Sequence, residues 1–254
     1  MTDFFAFYQH LGVALTLLVL ATFVLAGTVK GVIGLGLPTV AMGLLGLAML
    51  PPQAAALLFI PSTVTNIWQL AIGGALRPLW LRLWPLLLTI VIGTAFGSWW
   101  LGLGSGQWMT HALGAALLVY ALSGLLLPTL RVPAAWELWL GPLCGLLTGV
   151  VTAATGVFVI PAVPYLQALG LQRDALVQAL GLSFTVSTLA LGAALFWRGE
   201  LGSAELGASL LALLPALLGM ALGQWLRQRI SAQLFKRLFF IGLALLGLHL
   251  AISG

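Results

Sequence analysis

Long apolar runs separated by short polar joints fix the setting in which this chain folds. Ten of them can be drawn, at about 11–30, 36–50, 53–74, 83–103, 108–127, 136–154, 157–170, 174–197, 203–225 and 234–252. A helix that crosses a bilayer needs roughly 20 apolar residues, and most runs are near that length. Of 254 residues, 61% are hydrophobic and 6% charged, whereas an ordinary soluble domain is about 25% charged. The sequence therefore predicts an all-α polytopic membrane protein whose solvent is lipid. The net charge of +5 reads as membrane topology and does not point to nucleic acid.

Two runs, 36–50 and 157–170, are clearly shorter, and each follows a glycine-rich break. The first break is GTVKGVIGLGLP, Gly27 to Pro38; the second is CGLLTGVVTAATGVFVIP, Cys144 to Pro161. Short runs in these places predict half-length helices or one arm of a hairpin. Whether 11–50 and 136–170 cross fully or re-enter is left open by the pattern. Other joins carry turn chemistry: Pro51-Pro52, the Gly102 to Gly106 loop, and the Pro128 to Pro133 connection. The last divides the chain into halves 1–132 and 133–254 of one integrated membrane domain. The opening MTDFFAFYQH lacks the basic start of a signal peptide, so the first run is expected to be a retained membrane helix.

Charges orient the segments. Counting every run as a pass puts Lys30, Arg77, Arg82, Arg131, Arg173, Arg227, Arg229, Lys236 and Arg237 on one side, leaving Arg198 on the other. The side rich in cations is expected to be cytoplasmic, with both termini outside.

An internal repeat is visible. Gly31 aligns with Gly149 and Gly36 with Gly156. Ser62 aligns with Ser183, Asn66 with Ser187, Arg77 with Arg198, and Gly93 and Gly97 with Gly219 and Gly223. Each half holds five segments, an odd number, so the halves are expected to be inverted repeats. Inverted repeats with broken helices are a recurring plan of secondary transporters, with the substrate near the midplane.

The chemistry that is missing narrows the function. Asp3, Glu137, Asp174, Glu200 and Glu205 all sit at segment ends, and His10, His111 and His249 are scattered. Cys144 is the only cysteine. No metal set, cofactor motif or nucleophile with a base is recognisable, so no catalytic residue and no cofactor is expected.

What remains is a candidate path for a small solute. Lys30 alone among the basic residues is embedded in a glycine-rich break, and its counterpart is Thr148. A buried ammonium must reach water or meet an anion, so Lys30 either snorkels to the cytoplasmic face or contacts an anion. Gly31, Gly34, Gly36, Gly149 and Gly156 suit both tight helix packing and an unwound binding backbone. Gly31, Pro38, Gly149 and Pro161 are the expected hinges. Ser62, Asn66 and Gln69 share one helical face, and Ser183 and Ser187 repeat part of it. Such stripes either hold the bundle together or line a cavity, with the amides favouring the cavity. Thr148, Thr152 and Thr155 form a weaker stripe with the same two roles. Pro61 is expected to kink its helix and free a carbonyl. The tryptophans read as an interfacial belt, with Trp68 the exception. The basic loop of Arg227, Arg229, Lys236 and Arg237 reads as a topology signal.

At these residues the chain resembles the sulfite exporter TauE/SafE family of bacterial membrane proteins. The resemblance rests on a duplicated glycine-rich turn followed by proline: Gly31, Gly34, Gly36 and Pro38, then Gly149, Gly156 and Pro161. The stretch LQRDALVQALGLSFTVST also looks like the family segment after the second motif. The resemblance implies transport of small sulfur-containing or organic anions, such as sulfite or a sulfonate, across the bacterial cytoplasmic membrane. The residues themselves reach a small-solute transporter, with an anion as the expected cargo, working by alternating access. A passive channel and a non-transporting scaffold are its rivals. The expected partners are the anion and the lipid bilayer, with a homodimer left open.

Overall fold

The structure, a computed structural model, describes residues 3–71, 74–101, 108–126 and 130–253, with side chains from residue 12 onward. The described residues form helices and connections, with no strand among them. In chain order these are α1 (Asp3–Ile33), α2 (Leu37–Leu45), α3 (Pro51–Ala71), α4 (Leu76–Trp100) and α5 (Trp108–Leu126). They are followed by α6 (Ala134–Thr155), α7 (Ala162–Ala168), α8 (Arg173–Trp197), α9 (Ser203–Arg227) and α10 (Ala232–Ser253). Eight are long and apolar enough to cross a membrane, the first from Gly12 to Ile33. An all-helical answer is what a bilayer demands, because backbone groups in hydrocarbon must bond within their own segment. The Gly102 to Gly106 loop and residues 127–129 of the expected boundary lie outside the described residues.

The two short runs become the two short helices, α2 of 9 residues and α7 of 7. The breaks before them are narrower than the sequence suggests. α1 runs on through Lys30 to Ile33, and only Gly34 to Gly36 leave the helix. Gly34 (φ 75°) and Gly36 (φ 102°) take the left-handed backbone that other residues avoid. Gly156 (φ 71°) does the same where α6 ends. Pro38 falls in the first turn of α2, where its missing N–H is tolerated. The Ile160–Pro161 bond just before α7 is cis.

Gly31 and Gly149, expected as hinges, sit inside helices instead. Their role in the structure is close approach. A Cβ on Gly31 would collide with the Met220 carbonyl of α9, and one on Gly149 with the Ile90 carbonyl of α4. Gly27 meets Ala216 and Gly145 meets Leu86 in the same manner. The α1–α9 and α6–α4 seams are thus built alike, by backbones in contact rather than interleaved large side chains. The two seams also resemble each other in detail. Gly31 touches Gly223 and the Gln224 N–H, whereas Gly149 touches Gly93 and the Thr94 N–H. Gly93 and Gly223 thus hold matching places in the two seams.

The path of the second break is settled by one bond. The Val132 N–H donates to the Ala168 carbonyl at 2.9 Å, so α7 returns the chain to where α6 began. In α3, Pro61 has no N–H for the Leu57 carbonyl. That oxygen accepts from Ser209 Oγ at 2.8 Å, and the same hydroxyl accepts from the Ile60 N–H at 2.9 Å. The expected freed carbonyl is therefore used to join α3 to α9.

Candidate functional site

The site grows from the last turn of α1. Lys30 is only 5% exposed, so it does not snorkel to the membrane edge. Its Nζ donates to Thr65 Oγ1 at 3.0 Å and to Asn66 Oδ1 through a short bond. Behind it, Asn66 Nδ2 donates to Ser62 Oγ at 3.3 Å and Thr188 Oγ1 at 3.2 Å. The Ser62, Asn66 and Gln69 face of α3 thus meets the first break as a unit. Gln69 Nε2 donates to the Gly34 carbonyl at 3.0 Å, holding the unwound backbone. Gln178 braces the end of α3: its Nε2 donates to the Leu70 carbonyl and its Oε1 accepts from the Ala75 N–H, each at 2.8 Å.

An open cavity of about 780 Å³ reaches this cluster. Lys30, Gly34, Thr65, Trp68 and Gln69 line it. Arg173 at the start of α8, Arg227 at the end of α9 and Lys236 near the start of α10 line it as well. Five glutamines complete the polar wall, Gln69, Gln167, Gln224, Gln228 and Gln233, and none of the lining residues is acidic. Four cations around one recess without a carboxylate create a positive potential that concentrates anions. Among the described residues the one ion pair is Arg82 with Glu137, between α4 and α6; Lys30 has no such partner. An ammonium offers three donors, and two are engaged. Gln69 Nε2 likewise has a second N–H beyond the one bound to Gly34.

Other expected site residues lie elsewhere. Gly36 packs against Val29 and Phe239 and does not line the cavity. Pro38 removes one donor from the start of α2, and Thr39 Oγ1 donates to the Gly36 carbonyl. The second break is closed differently. Thr148, Thr152 and Thr155 each donate to a carbonyl one turn back in α6. Thr148 Oγ1 also accepts from the Ala162 N–H at 3.1 Å, and Thr155 Oγ1 from the Val157 N–H at 3.1 Å. Gly156 is covered by Met42 and Ala55. Ser183 and Ser187 are fully buried, with no hydrogen-bond partner among the described residues. Arg173, Arg227, Lys236, Gln224 and Gln228 were not among the residues the sequence pattern marked for the site. Their shared placement at one end of the bundle was the available signal.

These features define a multi-pass helical membrane protein with a cation-lined recess leading to a buried lysine. Residues 19–250 match the family model described as Sulfite exporter TauE/SafE, and the chain belongs to that family. That is a family of membrane transporters. No curated protein and no solved structure matches the chain.

Proposed function

We propose that this protein is a secondary transporter for a small sulfur-containing or organic anion, such as sulfite or a sulfonate. In this reading it works by alternating access between two inverted halves, 1–132 and 133–254. The observation that carries the proposal is Lys30, a buried cation without a carboxylate beneath a recess that also gathers Arg173, Arg227 and Lys236. A buried charge of this kind is stabilised by an arriving counter-ion. The anion meets the outer cations first. It then accepts from the free N–H groups of Lys30 and Gln69, while Thr65 and Asn66 hold Lys30 in place and Ser62 braces Asn66. Family membership supports the transport of a sulfur oxyanion or its relatives. The recess opens to the cytoplasm in this reading, since the cation-rich side is inside, and both termini lie outside in a bacterial cytoplasmic membrane.

The test uses purified protein in a thermal-shift screen with sulfite, sulfonates and carboxylates, since a ligand selective for the native state raises its apparent stability. Uptake into liposomes against a gradient separates a transporter from a channel. Lys30→Ala is expected to remove the ligand-dependent shift while the protein stays monodisperse. Normal transport by that variant overturns the proposal.

A further inference from the structure

We infer that the seam between α4 and α8 is the closed opposite arm of the anion path, latched at its outer end by Arg198. This rests on the transport reading above, but its evidence is separate. Seven buried side-chain polar atoms have no partner among the described residues, and four belong to this one helix pair: Thr94 and Ser98 on α4, Ser183 and Ser187 on α8. Each pair is spaced i, i+4 and so occupies one face of its helix, and α4 packs on α8. Hydroxyls buried without partners are unfavourable in a dry seam. They suit a surface that is hydrated in another conformation.

The packing register says where that surface belongs. Gly149 lies against the Thr94 N–H as Gly31 lies against the Gln224 N–H. Relative to these glycines, Thr94 and Ser98 occupy on α4 the places that Gln224 and Gln228 occupy at the end of α9, and both glutamines line the open recess. Ser187 likewise answers Asn66, and Thr148 answers Lys30. The closed seam is a hydroxyl-lined counterpart of the open one.

Arg198 caps the far end of α8, about 37 Å from Arg173 at a helical rise of ~1.5 Å per residue. Its Nη2 donates to the Ser98 carbonyl on α4. This bond ties the two helices together where the seam meets the opposite surface. Release of Arg198 opens the seam and leaves its guanidinium at the mouth, where it receives or delivers a small hydrated anion.

The experiment uses full-length protein carrying Cys144→Ala, reconstituted in liposomes, with single cysteines introduced as Ser98→Cys, Ser187→Cys and Gln224→Cys. An impermeant maleimide is applied from each side in turn. With Arg198 intact, Ser98→Cys and Ser187→Cys label slowly from the Arg198 side. Adding Arg198→Gln is expected to raise both rates about tenfold, because removing a charged hydrogen bond shifts the closed–open balance. Labelling of Gln224→Cys from the other side falls in parallel. Two results overturn the inference: no labelling of the seam cysteines in either background, or equal labelling in both. The thermal shift with sulfite, run on the same samples, keeps the two proposals apart. Sulfite binding with an unreactive seam removes only the path, whereas a reactive, Arg198-gated seam without anion binding removes the substrate reading. If Ser98→Cys does not yield folded protein, Ser187→Cys decides alone.

Discussion

The two glycine breaks use one backbone device and opposite chemistry. In each, a long helix ends, a few residues leave the helical path, and a short helix follows. The first break carries Lys30, Gln69 and the Gly34 carbonyl beneath a cation-lined recess. The second is filled by Val157, Phe158 and Val159, all at most 1% exposed, with Phe158 edge-on to Phe184 at 5.6 Å. Its threonines satisfy backbone groups of their own helix and of the break. The two breaks thus share a backbone device, and a buried cation beneath a polar recess lies at the first of them. In the proposed reading an anion is held at the first break, with the second serving as a packed support.

What the copies share is tested by the seams. Gly31→Leu and Gly149→Leu each force a side chain into the backbone of a facing helix, and neither α9 nor α4 has room to give. Both variants are expected to lose most folded protein, by ~3 kcal/mol or more, from overpacking at a backbone contact. Yield and monodispersity in detergent measure this. If one variant folds normally, the seams are not equivalent.

What the copies do not share is tested next. Lys30→Ala is expected to weaken anion binding by about 100-fold, from loss of a charged hydrogen bond in a buried site. The matching change, Thr148→Val, is expected to leave binding within about threefold and to lower stability by ~1 kcal/mol, from the bond to the Ala162 N–H. Titration of the ligand-dependent thermal shift gives both numbers. Equal losses at the two positions mean that the second break also takes part in binding.

The division between legible and hidden follows the physics of each signal. Helix number and placement were legible because lipid imposes a length and an apolar composition on each span; α3, α6 and α8 lie within a few residues of the runs drawn from sequence. The two short helices were legible from run length and glycine. Lys30, Asn66 and Gln69 were legible as polar groups that an apolar setting must pair. The pairing itself was not, since Lys30 and Asn66 lie on separate helices and spacing says nothing about contacts between them. The reach of the break was misjudged because Gly27 and Gly31 serve helix approach, which looks the same in sequence as unwinding. Arg173, Arg227 and Lys236 were read only for topology. Cations at helix ends give that signal whether or not the helix ends converge on a recess, and convergence is a tertiary fact.

The α3 and α8 stripes sharpen the comparison at smaller cost. Asn66 holds Lys30 and joins Ser62 to Thr188, so Asn66→Ala strands several buried donors and acceptors. A loss of ~2 kcal/mol is expected, together with weaker anion binding. Ser187 has no partner among the described residues, so Ser187→Ala removes an unsatisfied hydroxyl. It is expected to be neutral or slightly stabilising, by up to ~1 kcal/mol. Melting curves of the two variants without ligand separate them. A clear loss at Ser187 means that the hydroxyl has a partner that keeps the second stripe folded.

The smallest effects belong at the mouth of the recess at the first break. Arg173, Arg227 and Lys236 stand nearer water than Lys30, so salt screens them more strongly. Arg227→Gln and Lys236→Gln are each expected to weaken anion binding two- to fivefold at low ionic strength, equivalent to about 0.4–1 kcal/mol, the scale of an exposed charge interaction. Near 0.5 M salt the difference from the unmodified protein is expected to vanish, whereas the Lys30→Ala deficit persists because burial shields that site from mobile ions. Measuring affinity across a salt series therefore separates cations that gather the anion from the one that holds it. If the Lys236→Gln deficit persists in high salt, Lys236 contacts the bound anion directly, and the site extends outward from the break to α10.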